Sequence, residues 1–153
     1  MVHIQTYLIC QAVRSSHRAT LYEGLPHQSF EAGLLATELA AKATIRIDVY
    51  PFYAQTLPLN ETWITSLRQV LGSPASYAAW HGEKLCGGFH PDFAVLWSTP
   101  VGELYTLVCL GCEETLTLSS RGRLRADTTE SARASLIALL AGQRKNRPLV
   151  DSW

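Results

Sequence analysis

The chain has 153 residues, of which 47% are hydrophobic and 17% are charged, and its formal net charge at pH 7 is +0. This length suits one domain with a core of its own, and the composition excludes an intrinsically disordered chain. The balanced charge excludes a strong overall attraction to nucleic acid or to an anionic membrane, because both need a net positive field.

The N-terminal stretch and the cysteines predict the compartment. The opening sequence MVHIQTYLICQAVR has no basic segment before its apolar residues, so it is not predicted to be a signal peptide. No uninterrupted apolar window approaches the length of a membrane span. We therefore expect a cytoplasmic protein, whose four cysteines are free, catalytic or metal-bound rather than paired in disulfides.

Basic side chains are concentrated toward the C-terminus. Residues 121–147 include seven basic side chains and two acidic ones. A solvated helix face and tail is the favoured interpretation, and contact with an acidic partner or a phosphate is the alternative. Nucleic-acid binding is not expected, and the weak basic patch consists of Arg121, Arg123, Arg125, Arg144, Lys145 and Arg147.

The first predicted elements are two strands and a helix. Alternating residues, many of them β-branched or aromatic, predict strands over residues 3–13 and 19–25. Residues 29–43 predict a helix, because Ser29 is a favourable N-cap and the apolar residues that follow share one broad face.

A strand and a second helix are predicted next. Residues 44–53 alternate between apolar and charged side chains, which indicates a half-buried strand that Pro51 stops. Asn60 is predicted to cap a helix that ends at Gly72. Residues 73–88 show no clear period and predict a turn or a short helix.

The second half of the chain predicts an antiparallel meander built from the β-prone runs 92–97, 103–110 and 114–120, with 123–127 as an extension. A last helix is predicted over residues 129–141, and a loose tail begins at about residue 143, with Trp153 docking back. The order of elements favours a single α+β domain over residues 1–153, in which an antiparallel β meander packs against about three helices.

The sequence CGGFHPD, residues 86–92, stands at the entrance to the first strand of this meander. If the first two strands of the meander form a hairpin, residues whose numbers sum to about 200 lie opposite each other. Cys86 and His90 then approach the CLGC turn that contains Cys109 and Cys112. The predicted register thus brings four soft ligands together.

Those four residues predict a structural zinc site. Cys86, His90, Cys109 and Cys112 supply three sulfur ligands and one nitrogen ligand, a set that tetrahedral Zn²⁺ accepts. Gly111 would let the backbone of the CLGC turn curl toward the metal. Inert packing of buried cysteines is one alternative. A redox CxxC pair is the other, although no helix clearly begins after Cys112.

One enzyme signature also nearly fits. His81 and Glu83, followed by Cys109 and Cys112, resemble the H-x-E and C-x-x-C halves of the zinc deaminases, in which the glutamate shuttles protons. The deaminase pattern has proline before its first cysteine, whereas this chain has Val108. Neither half is predicted to begin a helix here, which also counts against the deaminase alternative.

The same turns carry a resemblance to known proteins. Within residues 73–120, the CGGFHPD turn before a strand and the CxGC turn after the next strand resemble a pattern in small bacterial proteins of unassigned function. In several such proteins a histidine follows the second turn, whereas Glu113 stands here. The resemblance implies no activity, and the positions it covers are Cys86, Gly87, Gly88, Phe89, His90, Pro91, Asp92, Cys109, Gly111 and Cys112.

Two classes of function follow from these patterns. The favoured one is a small soluble bacterial protein-interaction module, such as an immunity or adaptor protein, with a protein partner and a structural Cys/His zinc site. This class includes no catalytic residue. The alternative is a zinc-dependent hydrolase or deaminase-like enzyme that uses His81, Glu83, Cys109 and Cys112, with Glu83 as its general acid and base.

Overall fold

The computed structural model describes residues 4–148, and within them the chain forms four α-helices, a six-stranded sheet and a two-stranded sheet. The helices are α1 (Ile4–Arg14), α2 (Ala32–Ala41), α3 (Glu61–Leu71) and α4 (Glu130–Leu140). The strands are β1 (Arg18–Glu23), β2 (Thr44–Ile47), β3 (Tyr50–Tyr53), β4 (Tyr77–Ala79), β5 (Phe93–Thr99), β6 (Gly102–Cys109), β7 (Glu114–Ser119) and β8 (Gly122–Thr128). Short 3-10 turns follow α3 and α4, at Pro74–Ser76 and Ala141–Gln143.

The six-stranded sheet has the order β1-β5-β6-β7-β8-β4, and every neighbouring pair is antiparallel. Strands β5 to β8 are consecutive hairpins, because short turns separate runs of β-prone residues. The glycines at 102 and 122, both with positive φ, begin the second strand of their hairpins. The predicted α+β fold with an antiparallel meander is confirmed.

The sheet has a core on each face, since alternate side chains of a strand point to opposite sides. Helices α1, α3 and α4 cover one face with an apolar cluster that includes Val13, Leu67 and Leu136 and packs on Val95 and Trp97. On the other face, the β2–β3 hairpin packs its apolar side chains against those of the central strands. This second cluster comprises Ile47, Phe52, Phe89, Ala94, Leu107, Cys109, Cys112 and Leu116.

The prediction of a strand over residues 3–13 is wrong, because residues 4–14 form helix α1. Its buried residues are Thr6, Cys10 and Val13, whose spacing places them on one helical face. Burial of that face against the core overrides the β propensity of the segment. The predicted strand also included His3, which lies outside the described residues.

The prediction of a single strand that starts at residue 44 and is stopped by Pro51 is also wrong, because residues 44–53 form the β2–β3 hairpin. The chain reverses at Asp48, whose φ is 57°, a left-handed conformation that aspartate tolerates better than most residues. Pro51 does not end the strand but lies inside β3, opposite Arg46. Both strands of a two-stranded sheet are edge strands, and an edge strand tolerates proline, which has no N–H to donate.

The two predicted N-caps have different outcomes. Asn60 caps α3 as predicted, since its side-chain oxygen accepts the N–H of Trp63 at 2.8 Å. Helix α2 begins after the predicted cap Ser29, and its N-cap Glu31 makes no side-chain cap bond. Ser29 instead donates a hydrogen bond from its hydroxyl to the carbonyl of Gly87, at 3.2 Å. That bond links the start of α2 to the CGGFHPD turn.

The segment after α4 is anchored rather than loose as far as Arg147. The buried carboxylate of Glu23, at the end of β1, accepts the backbone N–H groups of Lys145, Asn146 and Arg147. The Arg147 guanidinium also pairs with Glu31. These bonds satisfy a carboxylate that would otherwise be buried without partners. The predicted docking of Trp153 concerns a residue outside the described part of the chain.

Candidate functional site

The site lies where two connections meet at the open end of the β5–β6 hairpin. One is the β4–β5 loop, residues 80–92, and the other is the β6–β7 turn, residues 110–113. The backbone N–H of Asp92 donates to the carbonyl of Val108, and the Asp92 carboxylate accepts the N–H of Leu110, both at 2.8 Å. The two turns therefore meet as the hairpin register predicts.

A disulfide between Cys86 and Cys112 joins the loop to the turn, with their Cα atoms 5.9 Å apart. The expectation that all four cysteines avoid disulfides is therefore wrong for this pair. The other two, Cys10 and Cys109, are free and buried. Sequence spacing alone did not reveal the pairing, because its partners are 26 residues apart and are brought together by the sheet.

The free thiol of Cys109 lies beside this disulfide. Its sulfur accepts the backbone N–H of Cys112 at 3.3 Å. Burial raises the pKa of the Cys109 thiol to about 11, although hydrogen bonds from the backbone N–H groups of His90 and Cys112 act in the opposite direction. Cys109 is consequently a neutral thiol at pH 7.

The imidazole of His90 is engaged in other contacts. Its Nε2–H donates to the carbonyl oxygen of Leu25 at 2.7 Å, and its ring centroid lies 4.6 Å from that of His27. Burial lowers the pKa of His90, so the ring is neutral at pH 7. His27 in turn lies 3.2 Å from the carbonyl oxygen of Cys86 through its own Nε2. His90 thus ties the loop to Leu25 through its side chain, and His27 contacts the backbone of the loop at Cys86.

The predicted zinc set of Cys86, His90, Cys109 and Cys112 does not fit this arrangement. A disulfide occupies two of the three sulfur atoms, and a carbonyl occupies one nitrogen of the imidazole. Over residues 4–148, no group of three or more His, Cys, Asp or Glu side chains is placed to hold a metal ion. The physical reason is the covalent bond, because zinc needs thiolate ligands and the disulfide has none.

A buried ion-pair network, which the sequence did not predict, lies next to the disulfide. Glu114 is the first residue of β7, and its carboxylate accepts bonds from Lys84 Nζ at 2.7 Å and from Arg125 Nε at 2.8 Å. Lys84 also bonds Asp127 at 2.5 Å. The cation of Lys84 is thus shared between two strands, which fixes the middle of the β4–β5 loop against the sheet.

The residues of the deaminase alternative take part in this network. His81 lies 2.8 Å from the Asp127 carboxylate through Nδ1, and the exposed Glu83 pairs with Arg125 at 3.1 Å. Cys112, the last residue of that pattern, is bonded to Cys86. The expected metal ligands are therefore engaged separately and form no shared centre in the part of the chain described here.

The outer surface of the β4–β5 loop is apolar. Leu85 is fully exposed, and Trp80, at the start of the loop, is partly exposed with the Arg125 guanidinium 4.7 Å from its ring centroid. Phe30 is also exposed and contacts Gly87, where a Cβ would lie 2.9 Å from the Phe30 ring. Gly87 has a φ of 77°, so both its conformation and this contact require glycine.

A second concave surface lies beside α1. A groove of about 290 Å³ runs between α1 and the tips of the β5–β6 and β7–β8 hairpins. Its lining includes Leu8, Ile9 and Leu104 together with Arg121 and Arg123. Because residues 3–13 were predicted as a strand, this groove was not predicted from the sequence.

The basic residues of the C-terminal part are largely paired. Arg123, Arg125, Arg144 and Arg147 form ion pairs with Asp48, Glu114, Asp92 and Glu31, respectively. These arginines lie on β8 and on the tail, and their charges are compensated locally.

Among residues 4–148, no helix is long and apolar enough to cross a membrane.

Comparisons of the chain with protein-family models, with curated proteins and with solved structures found no match.

Proposed function

We propose that this chain is a protein-interaction module of the immunity or adaptor type, and that it binds its partner through the β4–β5 loop. The observation that carries the proposal is the position of Leu85, a fully exposed apolar side chain on a loop with fixed backbone. A single exposed leucine is common on protein surfaces, but one that is held between two fixed residues is preorganised for recognition.

The loop is fixed on both sides of Leu85. Lys84 precedes it and bonds the carboxylates of Glu114 and Asp127, and Cys86 follows it and is bonded to Cys112. A rigid loop loses little conformational entropy on binding, so more of the contact energy appears as affinity. The disulfide thus takes the bracing role that the sequence analysis assigned to zinc.

The chemistry of this surface indicates the kind of partner. Leu85 and Trp80 are exposed apolar side chains of the loop, and the exposed Phe30 contacts the loop at Gly87. The Glu83 carboxylate, which pairs with Arg125 inside the protein, is also exposed. A complementary partner is a protein with an apolar pocket for Leu85 and a basic side chain opposite Glu83.

The test compares Leu85→Asp with Val101→Asp. Val101 is also an exposed apolar residue, but it lies in the β5–β6 turn, at the other end of the hairpin from the loop, where it lines the groove beside α1. Weaker binding by Val101→Asp would therefore place the partner in that groove instead. We expect a protein co-purified from the native cells to bind the parent chain and Val101→Asp alike, and Leu85→Asp at least tenfold more weakly. Titration calorimetry with the purified partner measures both affinities.

Equal binding by both variants, or the absence of any saturable partner, contradicts the proposal. For the immunity role the first candidate partner is a secreted toxin encoded beside this gene, expressed together with the chain. The bacterial cytoplasm is the proposed location. Reduction of the Cys86–Cys112 bond there would leave the loop held by the bonds of Lys84 to Glu114 and Asp127. Thiol trapping in intact cells reports that state.

A further inference from the structure

Three cysteines belong to one packed cluster between the β4–β5 loop and the β6–β7 turn. Cys86 and Cys112 form the disulfide, and Cys109 is a free thiol at the end of β6. Cys109 and Cys112 flank the two residues Leu110 and Gly111, and the N–H of Cys112 lies 3.3 Å from the Cys109 sulfur. C-x-x-C is the spacing at which the two cysteines of redox proteins form a disulfide with each other.

The three sulfurs differ in their access to solvent. Cys109 is 4% exposed and Cys112 is 2% exposed, whereas Cys86 is only partly buried. The free thiol therefore contacts the backbone of Cys112, which is the more buried cysteine of the disulfide. An attack from Cys109 on Cys112 thus releases Cys86, the more exposed of the two cysteines.

We propose that Cys109 exchanges with the Cys86–Cys112 disulfide and makes Cys86 a site of covalent modification. Because burial keeps the Cys109 thiol neutral at pH 7, the exchange proceeds through the small fraction of Cys109 that loses its proton to solvent. The sulfur of that thiolate forms a bond with the sulfur of Cys112. The Cys86–Cys112 bond breaks, and its electron pair stays on Cys86, which takes a proton from solvent. The number of disulfides is unchanged, so the step needs no oxidant or reductant.

The exchange changes how the β4–β5 loop is held as well as which sulfur atoms are bonded. It replaces a bond between two connections by a bond within the β6–β7 turn, and the loop then keeps only its noncovalent ties. Cys86 directly follows Leu85, so a group attached to the released thiol lies on the exposed face of the loop. Uncatalysed disulfide rearrangement takes minutes to hours, which sets the time range of the measurement.

The test is alkylation of the oxidised, folded protein with iodoacetamide over that time, followed by peptide mapping without reduction. We expect carbamidomethylation at Cys86 together with a new bond between Cys109 and Cys112. In Cys109→Ser, alkylation of Cys86 falls at least tenfold. Cys109→Ala is a second variant, and circular dichroism confirms that both fold.

Cys10 reports global unfolding, because it is 0% exposed and lies outside the cluster. Alkylation of Cys86 ahead of Cys10 supports exchange in the folded state. Alkylation of Cys109 with the original disulfide intact overturns the proposal, as does equal alkylation of Cys86 in Cys109→Ser. Labelling of Cys86 only in step with Cys10, or no labelling at all, overturns it too. None of these outcomes depends on the existence of a protein partner.

Discussion

A single residue, Glu114, links the candidate site to the sheet. Its carboxylate is fully buried, and its two cations come from different elements, Lys84 from the β4–β5 loop and Arg125 from β8. A buried charge is tolerated only when such partners compensate its desolvation. The position of the loop therefore depends on the charge of this one residue.

Replacement of Glu114 by glutamine is expected to lower the free energy of unfolding by about 2–4 kcal/mol, because the cations of Lys84 and Arg125 lose a buried counter-charge. Urea denaturation measures the change. The matched control is Glu113→Gln, at the neighbouring position, where the side chain is 51% exposed and pairs with Arg133. We expect that control to stay within about 0.5 kcal/mol; equal effects of the two variants would show that the network is not a stabilising unit.

Helix α3 shows how one element combines local and tertiary signals. Asn60 caps its first turn, and Gly72 follows its last residue. Ile64, Leu67 and Leu71 are buried at helical spacing, so the helix also packs on the core. The local signals set the ends of the helix, and burial of one face supplies most of its stability.

Substitution of Asn60 by alanine is expected to cost about 1 kcal/mol of stability, because the N–H of Trp63 loses its side-chain acceptor. Asn60→Asp keeps an acceptor oxygen at the same place and serves as the control, with little change expected. The midpoints of urea unfolding compare both variants with the parent chain. A loss of similar size in Asn60→Asp would mean that capping is not the cause.

At the scale of the whole molecule, buried or half-buried carboxylates hold distant segments together. Asp127 joins β8 to the β4–β5 loop, Glu38 joins α2 to β3 through Tyr53, and Glu31 joins α2 to the tail. Burial by itself would raise the pKa of each carboxyl group. Hydrogen bonds and cations outweigh it and lower all three pKa values below the ordinary 3.8 for aspartate and 4.5 for glutamate.

These lowered pKa values predict acid destabilisation. A carboxyl group whose pKa is lower in the folded state stabilises the fold fully above its unfolded pKa and loses that contribution as the pH falls through its folded pKa. These three groups are therefore expected to contribute fully above about pH 5 and to lose their contribution below about 4.5. The lowered pKa of His90 adds an earlier decline that begins as the pH falls below about 6.5, because only the unfolded chain takes up that proton readily. Thermal unfolding measured from pH 7 to pH 3 shows this decline. We expect the melting temperature of Asp127→Asn to depend less steeply on pH. An unchanged melting temperature down to pH 3 would contradict the assignment.

Local signals made much of the fold predictable. The meander follows from short β-prone runs separated by turns, and α3 from its cap, its stop and its helical spacing. The errors occurred where local signals compete. In α1, the β-branched and aromatic residues favour a strand. Burial of Cys10 and Val13 in the core favours a helix more strongly, so the segment is helical.

The site was predicted in position but not in chemistry. Hairpin register placed the CGGFHPD turn beside the CLGC turn, since pairing along a strand fixes which residues are opposite. Spacing could not tell which of the sulfur atoms would bond, because that depends on side-chain directions across two connections. The buried Glu114 network was missed for the same reason, as its members come from the loop, β7 and β8.

The sequence by itself determined the α+β class, the meander and the meeting of the two cysteine-containing turns, because these depend on periodicity and on hairpin pairing between neighbours in the chain. Only the tertiary structure decided that Cys86 bonds Cys112, that the His90 ring bonds Leu25, and that Lys84 is held by two carboxylates. These choices depend on distances between side chains far apart in sequence, and packing sets those distances.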